Sequence, residues 1–318
     1  MRLVKLLAPA LVAALVLSIA GCGTTEPPKE EGGGKKVTVT DSRGKQTLDG
    51  VATRVVALEW ALVEDLLAVG VQPVGVADVK GYNTWVSAEP APKSIKDVGL
   101  RQEVSIDSVA ELNPDLILGD STNTCGKTLK QFQKIADTLC FDGTDPKDNF
   151  GYMQDQFTAI AKSVGKEKEA EKQLDALDAK IADGKKKLAA AGMSGKEFAG
   201  AHGWTEKGAP VIRMFGKGSL GSDIAEQMGM KNGWKGKTDE WGLSTTDVEG
   251  MTKMGDVHLF YIAPVDNIFK TTLPKNRIWQ NLTCVEKKQV YQLDGGTWLF
   301  GGPSSASQFV DELVKAYA

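Results

Sequence analysis

Histidine is nearly missing from this chain: His202 and His258 are the only two in 318 residues. A zinc or manganese receptor usually draws on several imidazoles, so that class of protein is hard to build here. Neither histidine has a Cys or Ser partner in a recognisable nucleophile setting, and no GxSxG elbow occurs. No Walker A segment is read in the chain, nor a GxGxxG fingerprint linked to a strand. The glycines of Gly216-Lys217-Gly218-Ser219 open a helix and suit an anion, yet without the rest of a P-loop they read as a turn. Charge of one sign is lacking too. The formal net charge is -3 and the lysines are scattered along polar helix faces, which gives no argument for nucleic acid.

Long apolar runs are also absent. The stretch from Leu6 to Ile19 falls short of the ~20 residues a membrane-spanning helix needs, and no stop-transfer cluster follows it. With Arg2 and Lys5 before it and Ala20-Gly21 after it, this is the layout of a signal peptide, residues 1–21. Small residues directly before Cys22 resemble a lipobox, which makes Cys22 the lipid anchor. The expected location is outside the cell, tethered to the outer face of the cytoplasmic membrane. Residues 22–36 hold no side chain large and apolar enough to pack, so they read as a solvated tether. Three further cysteines remain, with no CxxC spacing for zinc. Cys125 and Cys140 are the closer pair for a disulfide in an exported protein; the alternative is that these and Cys284 are small buried apolar residues.

From Val37 onward the composition is that of an ordinary folded protein. Strands are expected at Arg54–Leu58, Val74–Ala77, Asp115–Gly119 and Thr138–Phe141. Helices at Leu62–Ala68, Ser105–Leu112 and Lys127–Ala136 alternate with them. This alternation predicts an α/β lobe over 37–147 with a mainly parallel sheet. A linking helix follows over 148–166, with Tyr152, Phe157, Ile160 and Val164 at apolar spacing and Gly165 as a break. The segment 167–318 then repeats the pattern, with a strand at Pro210–Phe215 and a helix at Leu220–Met228. Gly99-Leu100 before Asp107 is matched by Gly242-Leu243 before Glu249, and each acid opens a helix that leads into an apolar strand. Two α/β lobes joined by one helix leave a cleft between them.

Aromatic residues occupy the loops. Trp60 follows the first strand, Tyr82 and Trp85 the next, Trp241 precedes Gly242, and Trp298 and Phe300 sit in a glycine-rich run. Each has core packing as its bland reading, but as a set they suit a pocket at the carboxyl ends of strands. Arginine is scarce, and Arg101 in a loop beside these aromatics is placed to hold oxygens of a ligand through its guanidinium fork. The alternative is an ion pair with Glu103 or Asp97. Arg213, on the Pro210–Phe215 strand, is the second candidate.

The residues Val55–Trp60, Val63-Glu64, Leu66–Ala68, Pro73–Asp78, Tyr82, Trp85-Val86 and Asp97–Arg101 resemble the ferric hydroxamate-binding proteins of bacterial siderophore importers. The likeness is looser through Trp241-Gly242, Trp298 and the closing helix. It implies two Rossmann-like lobes on a rigid interdomain helix, the class III type of periplasmic binding protein, and a receptor rather than an enzyme. It implies that Arg101 contacts hydroxamate oxygens, that Trp85, Trp241 and Trp298 form walls, and that Asp107 and Glu249 dock on the permease. No cofactor is implied, and the iron is held by the siderophore. The implied partners are the permease and ATPase of an ABC importer, with the receptor acting as a monomer. A tyrosine that the family carries after the Asp115–Gly119 strand is missing from Gly119–Cys125. A linear, ferrioxamine-like hydroxamate is the favoured ligand. Cobalamin, haem or a catecholate siderophore, or a siderophore-modifying enzyme on the same fold, are the rival readings.

Overall fold

Alternating Val and Thr in Val37–Thr40 give the period-two pattern of a half-buried strand. In the computed structural model, which describes residues 35–318, they open an antiparallel hairpin of β1 (Val37–Asp41) and β2 (Gly44–Leu48). The expected signal peptide, nearly all of the tether and Cys22 lie outside the described residues. Among those described, no helix is long and apolar enough to cross a membrane.

The first lobe then unfolds in chain order. It comprises β3 (Val55–Ala57), α1 (Trp60–Ala68), β4 (Gly75–Val76), α2 (Val79–Trp85) and β5 (Lys96–Asp97). A small hairpin of β6 (Gly99–Leu100) and β7 (Glu103–Val104) follows. Then come α3 (Ile106–Glu111), β8 (Leu116–Asp120), α4 (Thr124–Lys127), α5 (Leu129–Phe132) and β9 (Asp137–Phe141). Five strands pair in parallel in the order β5-β4-β3-β8-β9. Both faces are covered, which explains the unbroken apolar runs of β3 and β8. Leu62, Val63 and Leu66 of α1 pack on one face; Val109 and Phe132 pack on the other. The helix expected over Lys127–Ala136 is instead two short ones, interrupted where the Thr128 hydroxyl donates to the Thr124 carbonyl at 2.7 Å. A disulfide between Cys125 and Cys140 ties α4 to β9, with Cα atoms 6.0 Å apart. Cys284 is free and buried.

Asp148 accepts the Gly151 N–H and starts α6 (Asn149–Ser163), which packs on α1 and β1 and also on α8. At Gly165, φ is +66°, a conformation that costs a residue with a Cβ far more than it costs glycine. The chain turns there into α7 (Glu167–Ala190). This helix is shared: Ala170 joins the core of the first lobe, and Leu177, Ile181 and Leu188 join that of the second.

The second lobe holds β10 (Glu197–Glu206), β11 (Ala209–Phe215), α8 (Leu220–Gln227), β12 (Lys231–Asn232), β13 (Leu243–Thr246) and β14 (His258–Ile262). Three short helices follow, α9 (Ile268–Thr271), α10 (Arg277–Gln280) and α11 (Thr283–Glu286), then β15 (Val290–Gln292) and α12 (Pro303–Tyr317). Its strand order is β13-β11-β10-β14-β15, with β12 beside the start of β10. Here the repeat of the first lobe is incomplete. β14 and β15 run parallel to β10, but β11 is antiparallel to both β10 and β13, so the sheet is mixed. The helix expected after Glu249 is a single 3-10 turn, Gly250–Lys253.

The loop closed by the Cys125–Cys140 disulfide spans 15 residues. Replacing both cysteines by serine should lower the unfolding free energy by about 3 kcal/mol, measured by urea titration; an unchanged midpoint would mean that the bridge constrains nothing in the unfolded chain.

Candidate ligand-binding site

Trp60 follows the carboxyl end of β3, Trp85 that of β4, and Trp298 and Phe300 that of β15, as open α/β sheets usually arrange their sites, while Trp241 stands just before β13. Glu59 leaves β3 and caps α1: its carboxylate accepts the Trp60 N–H at 2.9 Å. The same oxygen takes the Arg101 Nη1 at 2.6 Å, with both side chains about a quarter exposed (23% and 25%). Arg101 stands in the β6–β7 turn, and its guanidinium carbon lies 3.7 Å from the centre of the Trp60 ring. Burial raises the Glu59 pKa, and Arg101 opposes that rise. Neither expected alternative partner engages Arg101. The Asp97 carboxylate accepts from the Val79 and Gly99 N–H groups instead.

From Trp60 an unbroken aromatic surface crosses between the lobes. Trp298 meets Trp60 edge-on at 5.3 Å, Trp85 at 6.0 Å and Phe300 at 4.9 Å between ring centroids. Phe300 continues to Trp241 at 6.2 Å. His202 lies among Trp85, Phe215 and Phe300 at 5.8, 4.8 and 6.2 Å. Burial, with Arg213 nearby, pushes the His202 pKa down to about 3, so the ring is neutral. Arg213 is the cross-strand partner of His202, and its guanidinium stands 5.1 Å from the Trp204 ring centre. Trp60 Nε1, Trp298 Nε1, Arg101 Nε and His202 Nε2 are buried without a hydrogen-bond partner in the protein. Such groups are uncommon, and four of them around one aromatic surface mark a place where a bound molecule can supply acceptors.

Tyr82 is a correction. One turn before Trp85 on the same side of α2, it sits deeper, in the core with Val86, Ala91 and Ile95, against which Trp85 packs only partly buried. It is fully buried, and its hydroxyl donates to the Glu89 carbonyl at 2.5 Å. Trp60 is also mostly buried and serves as a floor under Arg101 rather than a wall. In the segment that lacks the tyrosine, Asp120 accepts from the Thr122, Asn123 and Thr124 N–H groups and so shapes the turn after β8. Asp107, in the first turn of α3, and Glu249, at the start of the 3-10 turn, are both exposed and outside any ion pair among the described residues.

The expected absence of a strand-linked GxGxxG is a second correction: Gly216, Gly218 and Gly221 have that spacing, directly after β11 and running into α8. The geometry is not that of a dinucleotide loop. β11 is antiparallel to its neighbours, and the Gly216 and Ser219 N–H groups are spent on the Gly242 and Gly216 carbonyls. Among the described residues, no group of three or more His, Cys, Asp or Glu side chains could hold a metal ion.

Sequence reasoning missed Glu59, His202, Trp204 and Phe215. Glu59 had a signal, an acid at a strand-to-helix turn directly before Trp60. His202 and Trp204 alternate along β10, but Phe198–Gly203 has no β-branched residue and gives no strand propensity.

The family model described as periplasmic binding protein matches residues 55–296, and the chain belongs to that family. It is 28% identical over 263 residues to the iron(3+)-hydroxamate-binding protein FhuD of Escherichia coli, covering 83% of this chain and 86% of that one. It is 29% identical over 296 residues to the putative ABC transporter substrate-binding lipoprotein YhfQ of Bacillus subtilis, covering 88% of each. In fold it is similar to the Fe3+-Desferal bound siderophore binding protein FhuD of Vibrio cholerae, with a TM-score of 0.72 at 22% identity over 83% of this chain and 97% of that one. The resemblance read from the residues and the two-lobed α/β fold are both borne out.

His202 should leave a mark on acid stability. Its folded pKa of about 3 lies below the ordinary 6.5, so below pH 6.5 the unfolded chain takes up a proton that the folded one refuses. Stability from this group is present above pH 6.5 and is lost on acidification towards 3, by up to about 1.4 kcal/mol per pH unit. His202→Gln should flatten that slope in urea unfolding at pH 4 to 7, whereas a slope equal to the wild type would show an ordinary histidine.

Proposed function

We propose that this chain is the extracytoplasmic substrate-binding component of an ABC importer, and that it captures a ferric hydroxamate siderophore, ferrioxamine-like, in the cleft between its lobes. One observation carries the choice of ligand: Arg101, the cation at the cleft floor, is already paired with Glu59 at 2.6 Å. His202 adds no charge, and Arg213 is the remaining cation argued for on the second wall. Three hydroxamates neutralise ferric iron, whereas a tris-catecholate complex keeps a high negative charge and would call for several uncompensated cations. An aromatic surface with one paired arginine suits the neutral or slightly cationic chelate. The unpartnered Arg101 Nε and the two indole N–H groups are donors for hydroxamate oxygens. The names of the hydroxamate-binding and lipoprotein relatives support the same reading.

In this reading Cys22 carries the lipid that holds the receptor at the outer face of the membrane. Asp107 and Glu249, one exposed acid per lobe, dock on basic residues of the permease, and the associated ATPase drives uptake. The ligand-binding set is Arg101, Trp60, Trp85, Trp241, Trp298, Phe300 and Arg213, to which the geometry adds His202 and Trp204. The protein acts as a receptor without catalysis.

Tryptophan fluorescence should be quenched by micromolar or lower ferrioxamine B, and Arg101→Ala should weaken binding at least about tenfold, the worth of a charge-assisted hydrogen bond. No response to ferrioxamine, ferrichrome or cobalamin would end the receptor reading. Asp107→Ala combined with Glu249→Ala should preserve binding and abolish uptake by cells; normal uptake would remove the docking role.

A further inference from the structure

Trp60 is not the only residue that α1 presents to the second lobe. One turn further along the helix, Glu64 is fully buried, and so is its neighbour Asp65. Glu64 reaches the first turn of α12, where the Ser305 N–H donates to Oε1 at 2.7 Å and the Ser305 hydroxyl donates to Oε2 at 2.6 Å. A helix start has N–H groups with no partner of their own, and α12 follows Gly302, which has no side chain to cap it. The cap comes from the other lobe. Any Cβ on Gly301 would collide with Glu64, and any Cβ on Gly302 would collide with Asp65, so the backbone closes directly on the two acids.

The loop that ends at this cap, residues 295–302, carries Trp298 and Phe300. Its other end is held by the first lobe as well: the Ser87 N–H and hydroxyl donate to the Gly296 carbonyl at 3.0 and 3.1 Å. Around the acids stand Gln156 from α6, which donates to Asp65 Oδ2 at 3.1 Å, Tyr82 from α2, and Glu89. Glu89 accepts from the Ser304 hydroxyl at 2.8 Å. No lysine or arginine forms an ion pair with Glu64, Asp65 or Glu89 among the described residues.

We infer that Glu64 is a positioning residue for the cleft: by capping α12 from the first lobe it fixes the Trp298–Phe300 wall against Trp60, and the state of this cap sets the affinity of the cleft. The inference rests on the cleft being the ligand site. Desolvation, against the two Ser305 bonds, pushes the Glu64 pKa up to about 7, and burial beside Glu64 raises that of Asp65. A raised carboxyl pKa means that the contribution to stability is whole below about 4.5 and is lost as pH rises through about 7. Protonated, Glu64 still accepts the Ser305 N–H and donates its own O–H to the Ser305 oxygen. Ionised, it leaves an uncompensated charge beside Asp65 and Glu89, and the wall loosens. Glutamine copies the protonated form, with its oxygen on the N–H and its amide on the hydroxyl.

The test uses the wild type, Glu64→Gln and Glu64→Ala at pH 6, 7 and 8.5, with two readouts. One is ferrioxamine B affinity by fluorescence; the other is the near-ultraviolet circular dichroism of the ligand-free protein, to which the Trp60–Trp298 pair contributes and which is compared between variants that keep all seven tryptophans. In the wild type both should change around neutrality, affinity falling several-fold towards pH 8.5. Glu64→Gln should keep the acid-form affinity and dichroism at every pH, and Glu64→Ala should bind about tenfold more weakly throughout, the scale of a lost cap. A wild-type pH response in Glu64→Gln, a wild type with no response, or wild-type dichroism in Glu64→Ala would overturn the inference. Should ferrioxamine bind none of the three, the ligand reading fails while the dichroism still decides the cap, and Glu64→Gln decides it alone if Glu64→Ala does not fold.

Discussion

Burying a carboxylate away from water without a cation is costly unless hydrogen bonds replace its hydration. The joint between the lobes is built on such a group. Glu64 loses its water and takes in exchange the N–H and hydroxyl of Ser305 at the start of α12, an exchange that falls short for the ionised form and so pushes its pKa up to about 7. That exchange is possible only if α12 begins where it does and only if Gly301 and Gly302 let the backbone come close. The loop from β15 to α12 is thereby held at one end by Glu64 and at the other by Ser87, both from the first lobe. Its aromatic side chains, Trp298 and Phe300, are then fixed against Trp60, Trp85 and Trp241. Together with α6 and α7, which pack against both lobes, this arrangement leaves little reason for a large hinge motion.

A second acid shapes the chemistry above the joint. Glu59 caps α1 and neutralises Arg101, so the aromatic surface beside them carries oriented donors with little net charge. An oriented guanidinium on an aromatic face selects geometry, since its fork is planar and its charge is already answered. A neutral histidine deep in the second wall extends the same character. The surface thus resembles an apolar plate set with a few donors, the usual composition of a small-molecule site.

Much of the fold was legible because its signals are local. The apolar runs of β3 and β8, the stop at Gly165 and the aromatics next to glycine all report their role within a few residues. Trp85, Trp298, Phe300 and Arg101 could be named for the same reason. Tyr82 could not be separated from Trp85, because the two share one side of a short helix and only the elements packed around it decide which of them is fully covered. β10 escaped because Ala199, Gly200 and Ala201 have no strand preference; their small side chains give way to Phe260 and their neighbours in the sheet. The antiparallel course of β11 was lost with β10, since Lys207-Gly208 reads as a two-residue hairpin turn only once a strand is seen to end at Glu206.

What the sequence determined by itself is the material: an α/β chain with an export pattern, few imidazoles, scarce arginine and aromatics placed in strand-end loops. These follow from composition and short-range spacing. Which groups meet was decided by the tertiary structure. Glu59 and Arg101 stand 42 residues apart, and Glu64 and Ser305 stand 241 apart. No periodicity reaches across such distances: Glu59 meets Arg101 only once the first sheet has set β3 beside the β6–β7 turn, and Glu64 meets Ser305 only where α12 of the second lobe packs on α1.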